Sequence, residues 1–213
     1  METQGKTDFY SLTLPQLEKL MAGMGKERFR AQQVFKWVYE KDVTNPELMT
    51  NLSKDFRQKL MDEMAFDLPP MVDRRISVDG TRKYLFDIGG GQTLEAVMIP
   101  SDDRRTLCLS SEVGCNMACK FCFTGKQKLK RRLTAGEIVG QFLQVKKDMG
   151  EENRVSNIVF MGMGEPLDNT DAVFDSIEIF KNDFGLNVGR KKITVSTSGL
   201  FPQIPLITDY GTR

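Results

Sequence analysis

Arg105-Thr106-Leu107-Cys108-Leu109-Ser110-Ser111-Glu112-Val113-Gly114-Cys115-Asn116-Met117-Ala118-Cys119-Lys120-Phe121-Cys122 is the stretch that decides the fold. Thr106 to Leu109 reads as a strand, and it runs straight into a loop whose three cysteines are spaced C-x-x-x-C-x-x-C. Downstream, Thr134 and Glu137 form a capping box. They open a helix with Ile138, Phe142, Val145 and Met149 on one stripe, stopped at Gly150. The pattern then repeats. Val155 to Met161 is a buried strand, Gly162-Met163-Gly164-Glu165-Pro166 a turn, and 170–182 a helix with Val173, Ile177 and Phe180 inward. Lys192 to Ser196 is the next strand. This alternation predicts an α/β fold of parallel β/α units. Ile204 to Arg213 reads as the start of a further unit. Three such units do not close a barrel, so an unpaired edge and uncovered apolar surface are expected. The chain reads as a fragment of something larger.

Upstream of this stretch the character differs. Thr13 caps a short helix with Gln16 three residues on, Pro15 fits its first turn, and Gly23 and Gly25 end it. Residues 28–40 carry Phe29, Val34, Trp37 and Val38 at helical spacing. Ser53 caps a third helix with Phe56, Leu60 and Met64 on one face. Pro69-Pro70 closes this part. Ile76-Ser77-Val78, Asp79-Gly80 and Tyr84-Leu85-Phe86 then predict a hairpin turning at Asp-Gly. Gly89-Gly90-Gly91 is a second turn, and Leu94 to Ile99 a strand ended by Pro100.

Composition narrows the chemistry. The 213 residues are 40% hydrophobic and 28% charged, an ordinary globular balance. A formal net charge of +1 gives no general pull on a polyanion, so any nucleic-acid contact must come from local clusters. Met1 to Asp8 is polar with both signs of charge, unlike a signal or transit peptide. No apolar stretch approaches the roughly 20 residues of a membrane span. A cytoplasmic location with reduced thiols is expected, where four cysteines point to metal or catalysis before disulfides. Histidine is absent, which excludes Ser-His-Asp and Cys-His catalysis and His-ligated zinc.

Three thiolates on one loop hold three corners of an iron–sulfur cube and leave the fourth iron open for a small molecule. A four-thiolate zinc site including Cys108 is the plainer alternative, although such sites are usually two C-x-x-C pairs. Each other candidate has its own plain reading. Cys108 alone is a small apolar residue on a strand, and Glu95 a solvent-facing strand residue. Gly164-Glu165-Pro166 is a turn, but one placed after a parallel strand, where α/β ligand sites form. Its two glycines would let the backbone approach a ligand. Lys126, Lys128, Lys130, Arg131 and Arg132 are either a solvated face or a phosphate patch near the site's mouth, to which Arg190, Lys191 and Lys192 add. Met161 and Met163 read as core filler.

Several segments together closely resemble the RlmN-type radical S-adenosylmethionine (SAM) RNA adenine C2-methyltransferases. They are Glu95-Ala96-Val97-Met98-Ile99-Pro100, Thr106 to Cys122, Thr134 to Gln141, Val159 to Leu167, and Lys192-Ile193-Thr194-Val195-Ser196-Thr197-Ser198-Gly199. The resemblance implies a partial radical-SAM (β/α) barrel over 101–213. It adds an N-terminal helical accessory domain over 1–70 and a β-hairpin connector over 71–100. It implies a [4Fe–4S] cluster on Cys115, Cys119 and Cys122, with SAM on its open iron. Gly164, Glu165 and Ser196 would contact SAM, Glu165 by pairing with its ammonium. Glu95 would take the adenine C2 proton, and Cys108 would help release the covalent RNA intermediate.

The implied product is 2-methyladenine in 23S rRNA and tRNA. The implied partners are those RNAs and a one-electron reductant such as flavodoxin, acting on a monomer with no membrane. A further cysteine that carries the methyl group in the family has no match here, because all four cysteines are already assigned. This chain alone is therefore not expected to complete the cycle. A non-catalytic zinc or iron–sulfur RNA-binding module and an adenine C8-methylase are the alternatives.

Overall fold

The computed structural model describes residues 5–150 and 154–210. Met1 to Gln4 and the last three residues of the Ile204 to Arg213 segment lie outside it. The helices start where the caps put them. α1 (Leu14–Gly23) has the full Thr13/Gln16 capping box with Pro15 in its first turn, and Gly25 follows it at φ 74°. α2 is Arg28–Tyr39, and α3 (Lys54–Glu63) is capped by Ser53, whose Oγ accepts the Phe56 N–H. Val34, Val38, Phe56, Leu60 and Met64 are buried as expected, but Phe29 is 47% exposed. It stands off the buried stripe, and Arg30 lies over its ring. A ladder too short to see in sequence pairs β1 (Thr7–Asp8) parallel with β2 (Met64–Ala65) and closes the helical part on itself.

Phe9 centres the core of that part, with the rings of Tyr10, Phe35, Tyr39 and Phe66 all within 6.0 Å of it. This core continues without a break into that of the sheet.

β3 (Met71–Ile76) and β4 (Arg82–Asp87) form the expected hairpin, with its Gly80 at φ 82°. β5 (Thr93–Pro100) and β6 (Arg105–Cys108) extend it antiparallel, and β9 (Asn157–Phe160) and β10 (Ile193–Val195) add in parallel. Among the described residues the order is β10-β9-β6-β5-β4-β3. The hairpin is thus continuous with the parallel strands in one sheet. A separate two-stranded ladder joins β7 (Glu112–Val113) to β8 (Arg131–Arg132).

α4 (Ala135–Met149) and α5 (Thr170–Lys181) cover one face of the sheet. There Tyr84, Phe86, Leu94, Ala96, Met98, Leu107, Ile158, Phe160 and Ile193 are all buried. The predicted stripes of both helices are buried, and Phe142 meets Phe180 at 5.3 Å. At the far end of α4, Asp148 takes Arg74, Arg82 and the Tyr84 hydroxyl, locking the hairpin to the helix layer. Among the described residues no helix covers the other face of the sheet, which is open. Ile99 is 45% and Met161 57% exposed there, the uncovered apolar surface expected of an unclosed barrel. α6 (Ile204–Tyr210) follows β10.

Candidate active site

Strand pairing decides which side chains share the open face. Residues paired across strands point the same way, and every second residue along a strand does too. Lys83 opposes Val97, Val97 opposes Cys108, Cys108 opposes Val159, and Val159 opposes Thr194. Glu95 is two residues from Val97. The structure therefore places Glu95 and Cys108 on the same open face, one strand apart. Lys83 reaches Glu95 there, Nζ to Oε1 at 2.7 Å. Burial pushes the Cys108 thiol above its usual range, against the opposing pull of the Met161 N–H.

The loops leaving β6, β9 and β10 all emerge at one edge, the C-terminal edge of the parallel strands, where α/β proteins bind ligands. The cysteine loop is the first of them. Its backbone is folded tightly: the Cys115 N–H donates to the Gln127 carbonyl at 3.2 Å and the Cys122 N–H to the Cys119 carbonyl at 3.0 Å. All three thiols are half-buried and unbridged. Burial raises the Cys115 thiol's pKa, while the Met117 N–H, 3.4 Å from its sulfur, lowers it. Among the described residues no three Cys, Asp or Glu side chains converge on a metal-sized site, so the loop holds the donors without drawing them together. Three soft thiols on one tight loop are nevertheless the donor set that suits an iron–sulfur cluster. Phe121 and Phe123, 93% and 75% exposed, flank Cys122.

The turn after β9 packs against the stem of that loop. Gly164 has φ 101°, and a Cβ there would lie 2.6 Å from the Glu112 Cβ. A Cβ on Gly162 would lie 2.7 Å from the Leu109 carbonyl. The absence of side chains at these glycines lets the turn lie against the neighbouring strand end. Ser110 ties the pieces together: its Oγ donates to the Glu95 carbonyl at 2.5 Å and accepts the Met163 N–H at 2.9 Å. Met161 is exposed and Met163 half-buried, so neither is core filler; they belong to the rim. Ser196 stands exposed just past the end of β10.

Two acidic residues here take roles that sequence reading missed. Glu165 is 3% exposed, and its carboxylate accepts the Leu167 N–H and both the N–H and Oγ–H of Ser198. Glu112 is fully buried. Its Oε2 accepts the Glu165 N–H at 2.9 Å, while Oε1 has no donor and lies 3.9 Å from Arg132 Nε. Burial pushes its pKa to about 7, and the Asp168 carboxyl beside it adds to the rise. Burial also acts to raise Asp168, but hydrogen bonds from Arg132 and from the Glu112 carboxyl leave it lowered. Burial and the neighbouring Asp168 carboxyl thus both favour the neutral form of Glu112. The signal in sequence was a lone charged residue among small and apolar ones, three residues before Cys115.

The basic run divides. Arg131 pairs with Glu137 and Arg132 with Asp168, both as structural ties, while Lys126, Lys128 and Lys130 are exposed. Arg190, Lys191 and Lys192 precede β10 and so lie at the opposite edge of the sheet. They do not add to the patch at the mouth, a correction that parallel strand direction imposes.

Residues 110–213 match the profile described as the radical SAM superfamily, and residues 7–65 match that of the ribosomal RNA large subunit methyltransferase N-terminal domain. A crystal structure of a radical SAM methyltransferase from Sphaerobacter thermophilus superposes with a TM-score of 0.82 at 40% identity, covering 92% of this chain and 58% of that one. Fold and cysteine loop together define a radical SAM protein. Among curated relatives, the dual-specificity RNA methyltransferase RlmN of Bdellovibrio bacteriovorus is 61% identical over 206 residues, 97% of this chain and 52% of the relative. That of Geotalea uraniireducens is 49% identical over 199 residues, 93% of this chain and 57% of the relative. The chain belongs to the RlmN family, and it spans about half the length of the curated relatives it matches.

Proposed function

We propose that this chain is the cluster- and SAM-binding part of an RNA adenine C2-methyltransferase acting on 23S rRNA and tRNA in the cytoplasm. The observation that carries this reading is the convergence of one loop edge and one open sheet face. The cysteine loop, the Glu165 turn and Ser196 emerge at one edge, beside the face that carries Glu95 and Cys108. When bound, a [4Fe–4S] cluster and SAM supply the carbon radical that an electron-poor, unactivated C–H carbon requires.

The family resemblance and the places of the residues support the following parts. Cys115, Cys119 and Cys122 hold the cluster. Gly164, Glu165 and Ser196 orient SAM at the strand ends. Glu95 accepts the proton lost from C2. Lys83 pairs with it, Nζ to Oε1 at 2.7 Å. Cys108, whose burial favours the thiol, gives up its proton and attacks the thioether sulfur of the methyl-carrying cysteine, which is not among the four cysteines here; a disulfide forms, the carbon–sulfur bond breaks and the freed carbon takes up a proton as the product's methyl group. The half-buried open face keeps these groups beside an apolar floor of Val97 and Val159, suited to a flat base. Residues 1–70 serve as an accessory domain for RNA, 71–100 as a connector and 101–213 as the radical SAM core. Electrons come from a reductant such as flavodoxin, and the protein works as a monomer. Among the described residues no helix is long and apolar enough to cross a membrane.

Anaerobic reconstitution tests the reading. The expected result is about four irons and four sulfides per chain, with SAM cleaved on reduction. Mass spectrometry of RNA treated with the protein carrying this chain is then expected to show 2-methyladenine. One zinc without sulfide, or 8-methyladenine, would overturn it.

A further inference from the structure

The tie between Glu165 and Ser198 joins two separate loops at the ligand edge. Glu165 Oε2 accepts the Ser198 N–H at 2.7 Å and its Oγ–H at 2.8 Å. Two donors from one residue on one oxygen of a nearly buried carboxylate are charge-assisted and directional. The carboxylate's other oxygen takes only the Leu167 N–H at 2.9 Å. A carboxylate oxygen has two lone pairs, so Oε1 keeps one for a further donor while Oε2 is filled. The Ser198 loop is itself held in shape: Thr197 Oγ1 accepts the Gly199 N–H at 3.0 Å, and Gly199 sits at φ 98°.

We infer that Ser198 is a positioning residue for SAM. By filling Oε2, it fixes the Glu165 carboxylate so that Oε1 is left to take the ammonium of the methionine part. This rests on the proposed role of Glu165 as the ammonium acceptor. Ser196 touches the ligand from the same loop, whereas Ser198 acts only through Glu165. The pair also makes SAM binding depend on the approach of the β9 and β10 loops, because the tie closes only when both are in place.

Equilibrium dialysis of labelled SAM against the anaerobically reconstituted chain, without reductant, tests this. Ser198→Ala is expected to bind SAM about tenfold more weakly, the usual cost of one hydrogen bond to a charged group, and Ser198→Thr to bind as wild type. Methylthioadenosine carries the nucleoside but no ammonium, and it is expected to bind equally to all three. Iron and sulfide contents should not change. Equal SAM affinity in wild type and Ser198→Ala would overturn the inference, as would a matching loss for methylthioadenosine, which a general loosening of the loop would cause. Should Ser198→Ala fail to fold, Ser198→Cys keeps the size and weakens the donor; wild-type SAM affinity in that variant would equally overturn it. A wild-type chain that holds its cluster yet takes up no SAM is a different result, and it would sink the functional reading itself.

Discussion

Glu112 shows how a single buried atom sets a testable property. Its Oε1 has no donor, and its pKa stands near 7 against 4.5 in an unfolded chain. Between those values the folded protein keeps a proton that the unfolded chain has released. Stability is therefore greatest at the acid end of this window, falls as pH rises through it, and is flat above it. Glu112→Gln keeps the side chain's size and carries no charge to bury. Urea unfolding is expected to find this variant more stable than wild type at pH 8 by at least about 1 kcal/mol, the worth of somewhat under one pKa unit. The gap should vanish near pH 4.5; a gap that persists there would disprove the raised titration of Glu112 as its cause. The Cys108 thiol, raised by burial, gives a second check: iodoacetamide at neutral pH is expected to label it more slowly than Cys119 or Cys122 in cluster-free protein. The cysteines were legible because their spacing is local. Glu112 and Ser198 were not, because their partners stand 53 and 33 residues away and only folding brings them together.

At the scale of elements, the capping box of α4 does two jobs. Thr134 Oγ1 accepts the Glu137 N–H at 3.1 Å, and Glu137 returns a bond to the Thr134 N–H at 2.9 Å. The same Glu137 carboxylate also binds Arg131, which reaches across to Gln92 and to the Ile88 carbonyl. The helix start is thereby fastened to the turn before β5. Thr134→Ala is expected to cost about 1 kcal/mol, the usual worth of an N-cap, read as a lowered urea midpoint with an unchanged slope. No change in midpoint would mean that the Arg131 contacts alone hold this corner. Such caps, the Asp79-Gly80 hairpin and the α4 and α5 stripes were all readable, because each is set by residues within a turn or two of one another. Phe29 was placed wrongly, since helical spacing alone does not say which side of α2 its neighbours cover. The β1–β2 ladder was invisible, because two residues give no periodicity and their partners are distant in sequence.

Among the described residues α4 and α5 cover one sheet face and the candidate residues Glu95 and Cys108 lie on the other, and the direction of the strands separates two basic clusters that look alike in sequence. Lys126, Lys128 and Lys130 lie exposed on the segment that leaves the cysteine loop, at the ligand edge. Arg190, Lys191 and Lys192 lie before β10, at the far edge. On the proposed function, an RNA strand delivering a base to the open face would pass the first cluster and not the second. Each phosphate neutralised releases counterions, so the logarithm of affinity falls with that of salt by about 0.7 per contact on single-stranded RNA. Replacing Lys126, Lys128 and Lys130 with Gln is expected to lower that slope by about 2 if all three lysines meet phosphates. The triple replacement Arg190→Gln, Lys191→Gln, Lys192→Gln is expected to leave it unchanged. Fluorescence anisotropy with an RNA hairpin carrying an unpaired adenine, titrated across salt concentrations, reads both. If the far-edge variant loses as much slope as the near-edge one, RNA does not enter across the cysteine loop, and the open face is not where the base arrives.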